Sequence, residues 1–144
     1  MTTANDAARY ILSLTDEECG ELISHLKLQK LLYYAQGFHL AIFDMPLFEE
    51  HVVAWQHGPV VPKVWDAYRD YGSNPIPKPD DFDRDVISND ARGVIDEVYT
   101  VFGQYSAWKL RNMTHEEAPW AHAAMNEEIT KASMMEYFKG QLVA

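Results

Sequence analysis

A chain of 144 residues with 22 acidic and 12 basic side chains carries a formal net charge of −10. That balance argues against a generic binder of nucleic acid or of an anionic membrane, because neutralising phosphates takes clustered Lys and Arg. Apolar residues at 47% and aromatics at 12% suit a packed core in one domain over residues 1–144, not a disordered tail. The lone Cys19 rules out an internal disulfide framework and a Cys-rich zinc site, and fits a reducing compartment. Met1 to Asp6 lack the profile of a signal peptide, and no apolar run approaches the ~20 residues of a membrane helix. A cytoplasmic protein is expected.

In chain order, Ala7, Ala8, Ile11 and Leu12 make the short stripe of a helix from about Asn5 to Leu14, and Thr15 to Gly20 reads as an acidic turn. The strongest pattern runs from His25 to about Phe43. There Leu28, Leu31, Leu32, Ala35, Phe38 and Ile42 recur with the period of an amphipathic helix, and Ser24 supplies the N-cap. Gly37 inside it costs about 1 kcal/mol relative to Ala, which predicts a close-packed neighbour. Asp44-Met45-Pro46 ends the helix. His51 to Gln56 is β-branched and aromatic and predicts one short extended element, broken by His57-Gly58-Pro59.

Pro62 is placed to open a helix that holds Val64, Trp65 and Tyr68 inward and stops near Tyr71-Gly72. The prolines and aspartates from Ser73 to Asp85 predict an exposed loop. Ser88 caps a helix through Val94, Ile95, Val98, Val101 and Phe102, and Ser106 caps a shorter segment with Ala107 and Leu110. Thr114 and Glu117 have capping-box spacing and predict a further helical start, with Pro119 in its first turn. Thr130 precedes a last helix through Met134, Met135, Tyr137, Phe138 and Leu142. The expected fold is mainly α: a helical domain with a small extended or two-stranded β element near residues 47–57.

Little in this chain suggests chemistry. His115 and His122 are seven apart with Pro119 between them, so the one-turn ligand spacing of a helical zinc site is missing. A metal-dependent hydrolase built on His115, Glu116 and His122 is therefore the weaker reading beside a structural histidine. Cys19 sits among Asp16, Glu17, Glu18 and Glu21, whose charge keeps a thiol protonated. The glycines form no phosphate-cradling loop. No cofactor, no metal and no catalytic residue is expected. Lys27 and Lys30 lie one turn apart, either as a solvated face or as a cationic spot facing an acidic cluster in the fold or on a partner. Trp55, Trp65, Trp108 and Trp120 are core or interface anchors.

The segment Leu26-Lys27-Leu28-Gln29-Lys30-Leu31-Leu32-Tyr33-Tyr34-Ala35-Gln36-Gly37 is more distinctive than its period. Following it in order come Leu47-Phe48, Ala54-Trp55-Gln56-His57-Gly58-Pro59-Val60-Val61-Pro62, Thr114-His115-Glu116 and Pro119-Trp120. This ordered set resembles the Panacea (SocA-like) antitoxin domain family, which includes phage-associated GepA-type proteins, and the resemblance spans about residues 5–140. It implies a mostly helical fold and a non-enzymatic antitoxin that binds and neutralises a cognate protein toxin encoded nearby. Adaptor relatives instead deliver the toxin to a Clp-family protease.

The matching positions are Lys27, Leu28, Gln29, Lys30, Leu31 and Tyr33; Trp55, Gly58, Pro59 and Val60; and Thr114, His115, Pro119 and Trp120. They are expected to be scaffold or partner-binding, with partner choice on variable surface. Ala118 stands where many relatives carry Gly. A toxin complex of one-to-one or higher order, including a homo-oligomer, is compatible with this reading. A membrane partner is not expected, and a DNA-binding autorepressor is disfavoured because no basic helix stands out.

Overall fold

The computed structural model describes residues 2–16 and 22–142. Cys19 and most of the acidic turn expected before residue 20 lie outside them. Among the described residues there are seven α-helices and three short strands. The helices are α1 (Ala4–Ser13), α2 (His25–Phe43), α3 (Pro62–Tyr68), α4 (Asn89–Phe102), α5 (Ala107–His115), α6 (Ala118–Ala121) and α7 (Lys131–Lys139), and the strands are β1 (Val52–Trp55), β2 (Gly58–Val60) and β3 (Glu128–Ile129). The mainly helical class with a small β element is what the sequence predicts.

Local chemistry explains the helix starts. Thr3, Ser24, Ser88, Ser106 and Thr130 each accept a hydrogen bond from a backbone N–H in the first turn of the helix that follows, satisfying a donor that would otherwise have no partner. At α1 the Asp6 carboxylate also accepts from the Thr3 N–H, a complete capping box. At the end of α2 the chain leaves through Asp44, held left-handed at φ 56°.

Helix α2 is the axis of the molecule. Helices α1, α3, α4, α5 and α7 and strand β2 all pack on it. The expectation of an amphipathic helix with one wet face is therefore corrected. Gln29, Lys30 and Gln36 are as fully enclosed as Leu28, Leu31 and Leu32, because neighbours surround the helix and its polar side chains find partners inside. Ile42, read as part of the buried stripe, is 48% exposed. Gly37 has the close neighbour its cost implies: a Cβ there would overlap the Phe138 ring, so α7 crosses α2 where no side chain intervenes.

The β element is larger than expected, a three-stranded antiparallel sheet in the order β2-β1-β3. Val53 pairs with Val60, Ala54 with Pro59 and Trp55 with Gly58, leaving Gln56 and His57 as the hairpin loop. Pro59 therefore belongs to a strand and does not break one. It is tolerated because β2 lies at the edge of the sheet, where a missing N–H forfeits no ladder bond. The two-residue strand β3 pairs with β1 at Val52 and Val53.

A second correction concerns Thr114 and Glu117. Thr114 lies in the last turn of α5, with its hydroxyl donating to the Arg111 carbonyl, and Glu117 is itself the N-cap residue of α6 without a side-chain capping bond. The spacing is that of a capping box, but the preceding helix has not yet ended at Thr114.

Candidate functional site

Residues of the five sequence blocks meet around α2. Three of its polar side chains, an adjacent pair and a third two turns on, hold the backbone that follows. The Gln29 Oε1 accepts from the Val61 N–H at 2.8 Å, and the Lys30 Nζ donates to the Pro59 carbonyl at 3.1 Å. Two turns on from Gln29, the Gln36 amide accepts from the Leu47 and Phe48 N–H groups and donates to the Phe48 carbonyl. Burying such groups without partners would cost several kcal/mol each, on the order of 2–7. Here they fix the path of residues 47–61 against the helix.

Gly58 shows how tightly this region closes. Its φ is +112°, and a Cβ would fall 2.6 Å from the Lys30 Cε and 2.8 Å from the Thr114 Oγ1. Only glycine combines that backbone angle with that proximity. Leu28 and Leu31 are fully enclosed core residues, and Val60 is 2% exposed. Lys27, one turn before Lys30, donates to the Gly103 carbonyl at 2.6 Å. Lys30 is fully enclosed and no part of a solvated face.

On the far side of the hairpin, the His115 and Trp120 rings stack at 3.9 Å, nearly parallel, and the Trp120 Nε1 donates to the Trp55 carbonyl at 2.8 Å. The Trp55 ring meets Trp65 edge-on at 5.3 Å. Pro119 is buried at the start of α6. Ala118 occupies the first helical position of α6 without a positive φ, so the family's Gly is not required there. Among the described residues no group of three His, Cys, Asp or Glu side chains is placed to hold a metal ion.

The electrostatics of this interior are unusual for so acidic a chain. Burial, with the Arg111 charge adding to it, lowers the Lys30 pKa from its ordinary value to about 7. Burial raises that of Glu117 to about 7, against the opposing pull of two hydrogen bonds donated by the Tyr34 and Tyr33 hydroxyls at 2.7 and 2.9 Å. Loss of hydration outweighs those bonds. Burial also lowers the pKa of His25 and of His115; among the described residues the enclosed Nε2 atoms of both histidines and of Gln29 have no hydrogen-bond partner.

Glu117 and Gln36 were missed as interior anchors by the sequence reading. For Gln36 a signal existed, an amide two helical turns after Gln29 on the same helix. For Glu117 there was none, since one carboxylate in a chain with 22 acidic residues gives no hint that two tyrosines enclose it.

The interior connects to the surface through Tyr34, whose ring stacks on Phe102 at 4.0 Å. Phe102 lines an open groove of about 670 Å³ formed by the C-terminal half of α2, one face of α4 and Gln141 beyond α7. A second, more polar concavity of about 500 Å³ lies between α6 and α7 and includes His122, Glu128 and Glu136.

Comparison with known proteins agrees with this arrangement of blocks. The family model described as "Antitoxin SocA-like, Panacea domain" matches residues 28–121, which contain all of the polar contacts around Lys30. Antitoxin SocA of Caulobacter vibrioides (strain NA1000 / CB15N) is 30% identical over 128 residues, covering 78% of this chain and 68% of that protein. No solved structure matches the chain significantly.

Proposed function

The chain belongs to the SocA-like Panacea antitoxin family, and from that premise we propose that it binds a cognate protein toxin encoded beside it and silences the toxin by direct complex formation. The observation that carries this reading is the inward orientation of the family's distinctive polar residues. Lys30 and Thr114 are fully enclosed and donate to the protein's own backbone, and the enclosed Gln29 accepts from it through its Oε1. Side chains spent in this way hold a shape and do not reach a substrate. The exterior is left to engage the partner, and most of the net charge of −10 is displayed there.

On this reading the motif residues are scaffold, and the chain performs no bond-making. It works in the cytoplasm as one unit over residues 1–144, an assignment supported by α2 receiving elements from both ends of the sequence. The toxin's basic surface would be steered to an acidic partner by long-range attraction.

The test is expression of the neighbouring reading frame with and without this chain. Relief of growth arrest, co-purification of the two proteins and inhibition of the purified toxin by the purified chain are the expected results. Unrelieved arrest removes the antitoxin reading. A fall in toxin level that needs a Clp-family protease, with no inhibition by purified components, replaces direct blocking with the adaptor route.

A further inference from the structure

Helix α4 presents a continuous face to the open groove over its whole length. Its lining residues begin at Asn89 and Asp90 and recur through Gly93 and Val94, Glu97 and Val98, to Val101 and Phe102. That is one helical face about 20 Å long at 1.5 Å per residue. The inner edge, Val94 and Val98, is buried, while Val101 is 44% exposed and Ile42 on the opposing wall is 48% exposed. The floor is rigid, because Phe38 and Phe102 belong to an aromatic cluster that reaches Tyr34 and Phe138.

The groove's charge is one-sided. Asp90 and Glu97 are the charged residues that line it, and no cation does. Among the described residues neither carboxylate is in an ion pair. The two stand seven residues apart on α4, two helical turns or about 10 Å. We infer that this groove receives an apolar-faced helix of the toxin that bears Lys or Arg residues two turns apart, opposite Asp90 and Glu97. The inference rests on the toxin-binding reading and assigns it a surface.

The shape favours a helix over a small molecule. A compact ligand needs enclosure and a few convergent polar groups, whereas this groove is long, half open and apolar along its floor. A helix lying between two helices seats its residues i, i+3, i+4 and i+7 in such a channel. The charge disfavours a second copy of the chain, since both partners would bring a net charge of −10 and the same acidic rim.

The experiment measures binding of the full chain to the purified product of the adjacent reading frame. Ile42→Lys and Val101→Lys alter half-exposed positions and should weaken binding at least 100-fold through faster dissociation. The pair Asp90→Asn and Glu97→Lys should slow association about tenfold and flatten its dependence on salt. Glu136→Lys, in the polar concavity between α6 and α7, should leave dissociation unchanged and slow association far less than the groove pair. Circular dichroism and the thermal midpoint verify that each variant is folded.

Amide exchange on the unaltered protein provides a second readout: residues 38–43 and 89–102 should slow when the toxin is added. If the unaltered chain binds the toxin while the groove variants bind equally well and those amides are unchanged, the groove assignment is wrong and the antitoxin reading stands. If the unaltered chain does not bind, both fall. Slowing that tracks the chain's own concentration without toxin makes a second copy the occupant and overturns the inference.

Discussion

Lys30 and Glu117 titrate near the same pH but affect stability in opposite directions. The Glu117 pKa is raised in the folded state, so its contribution is fully present below about pH 4.5 and lost as pH rises toward about 7. The Lys30 pKa is depressed, so its contribution is present above about pH 10.5 and lost as pH falls toward about 7. Together they produce a stability minimum near neutrality, each arm sloping by at most about 1.4 kcal/mol per pH unit. Urea unfolding across pH should show Glu117→Gln gaining on the unaltered protein between pH 4.5 and 7, and Lys30→Met gaining as pH falls from 10.5 to 7. Parallel curves for variant and parent would disprove these assignments. Gly58→Ala offers a sharper test at the same locus. It forces an alanine to φ +112° with its Cβ against Lys30 and Thr114, which combines backbone strain with overpacking for a loss of about 2–5 kcal/mol. A midpoint unchanged in denaturant would mean that the close approach of the hairpin to α2 is not real.

At the level of elements, the crossing of α2 and α7 sets the packing of the core. Gly37→Ala places a methyl in the space of the Phe138 ring and should cost about 1–3 kcal/mol, and Phe138→Ala about 3–5 kcal/mol. The double variant should lose at least about 1 kcal/mol less than the sum, because each change relieves the clash or the cavity made by the other. Strict additivity would show that the two residues do not meet. Gly37 was readable in the sequence because a glycine inside a strong helix has a known cost and so demands a reason. The caps at Ser24, Ser88, Ser106 and Thr130 were readable because capping depends on residues three apart. What stayed hidden depends on distant partners. Thr114 and Glu117 have the spacing of a cap, but the continuation of α5 and the tyrosines of α2 decide their roles. Strand β3 has two residues and exists only because β1 offers an edge. Lys30 looks like any surface lysine until the hairpin folds over it. The candidate surface was the least legible part, since Ile42 and Val101 carry the same pattern as the residues that do pack.

For the whole molecule, charge makes folding and binding respond to salt in opposite senses. A net charge of −10 on 144 residues places like charges on a small surface, and their repulsion favours the expanded chain. The ion pairs of Asp44 with Lys139 and of Asp85 with Arg92 sit at the surface, where such pairs are worth about 0–1 kcal/mol, so they offset little of that repulsion. Salt screens charges separated by more than about 10 Å at 0.1 M, and raising it should therefore stabilise the fold. The same screening removes the attraction that brings a basic partner to the rim formed by Asp90 and Glu97. Between about 0.02 and 0.5 M sodium chloride the unfolding midpoint should rise by a few degrees, while the association rate with the toxin falls by about tenfold or more and the dissociation rate changes little. Thermal melts and stopped-flow association on the same preparation read both quantities. An association rate indifferent to salt would mean that the acidity serves solubility alone and that encounter is driven by the apolar groove. A midpoint that falls with salt would mean that specific surface pairs, and not self-repulsion, dominate the electrostatics of the folded chain.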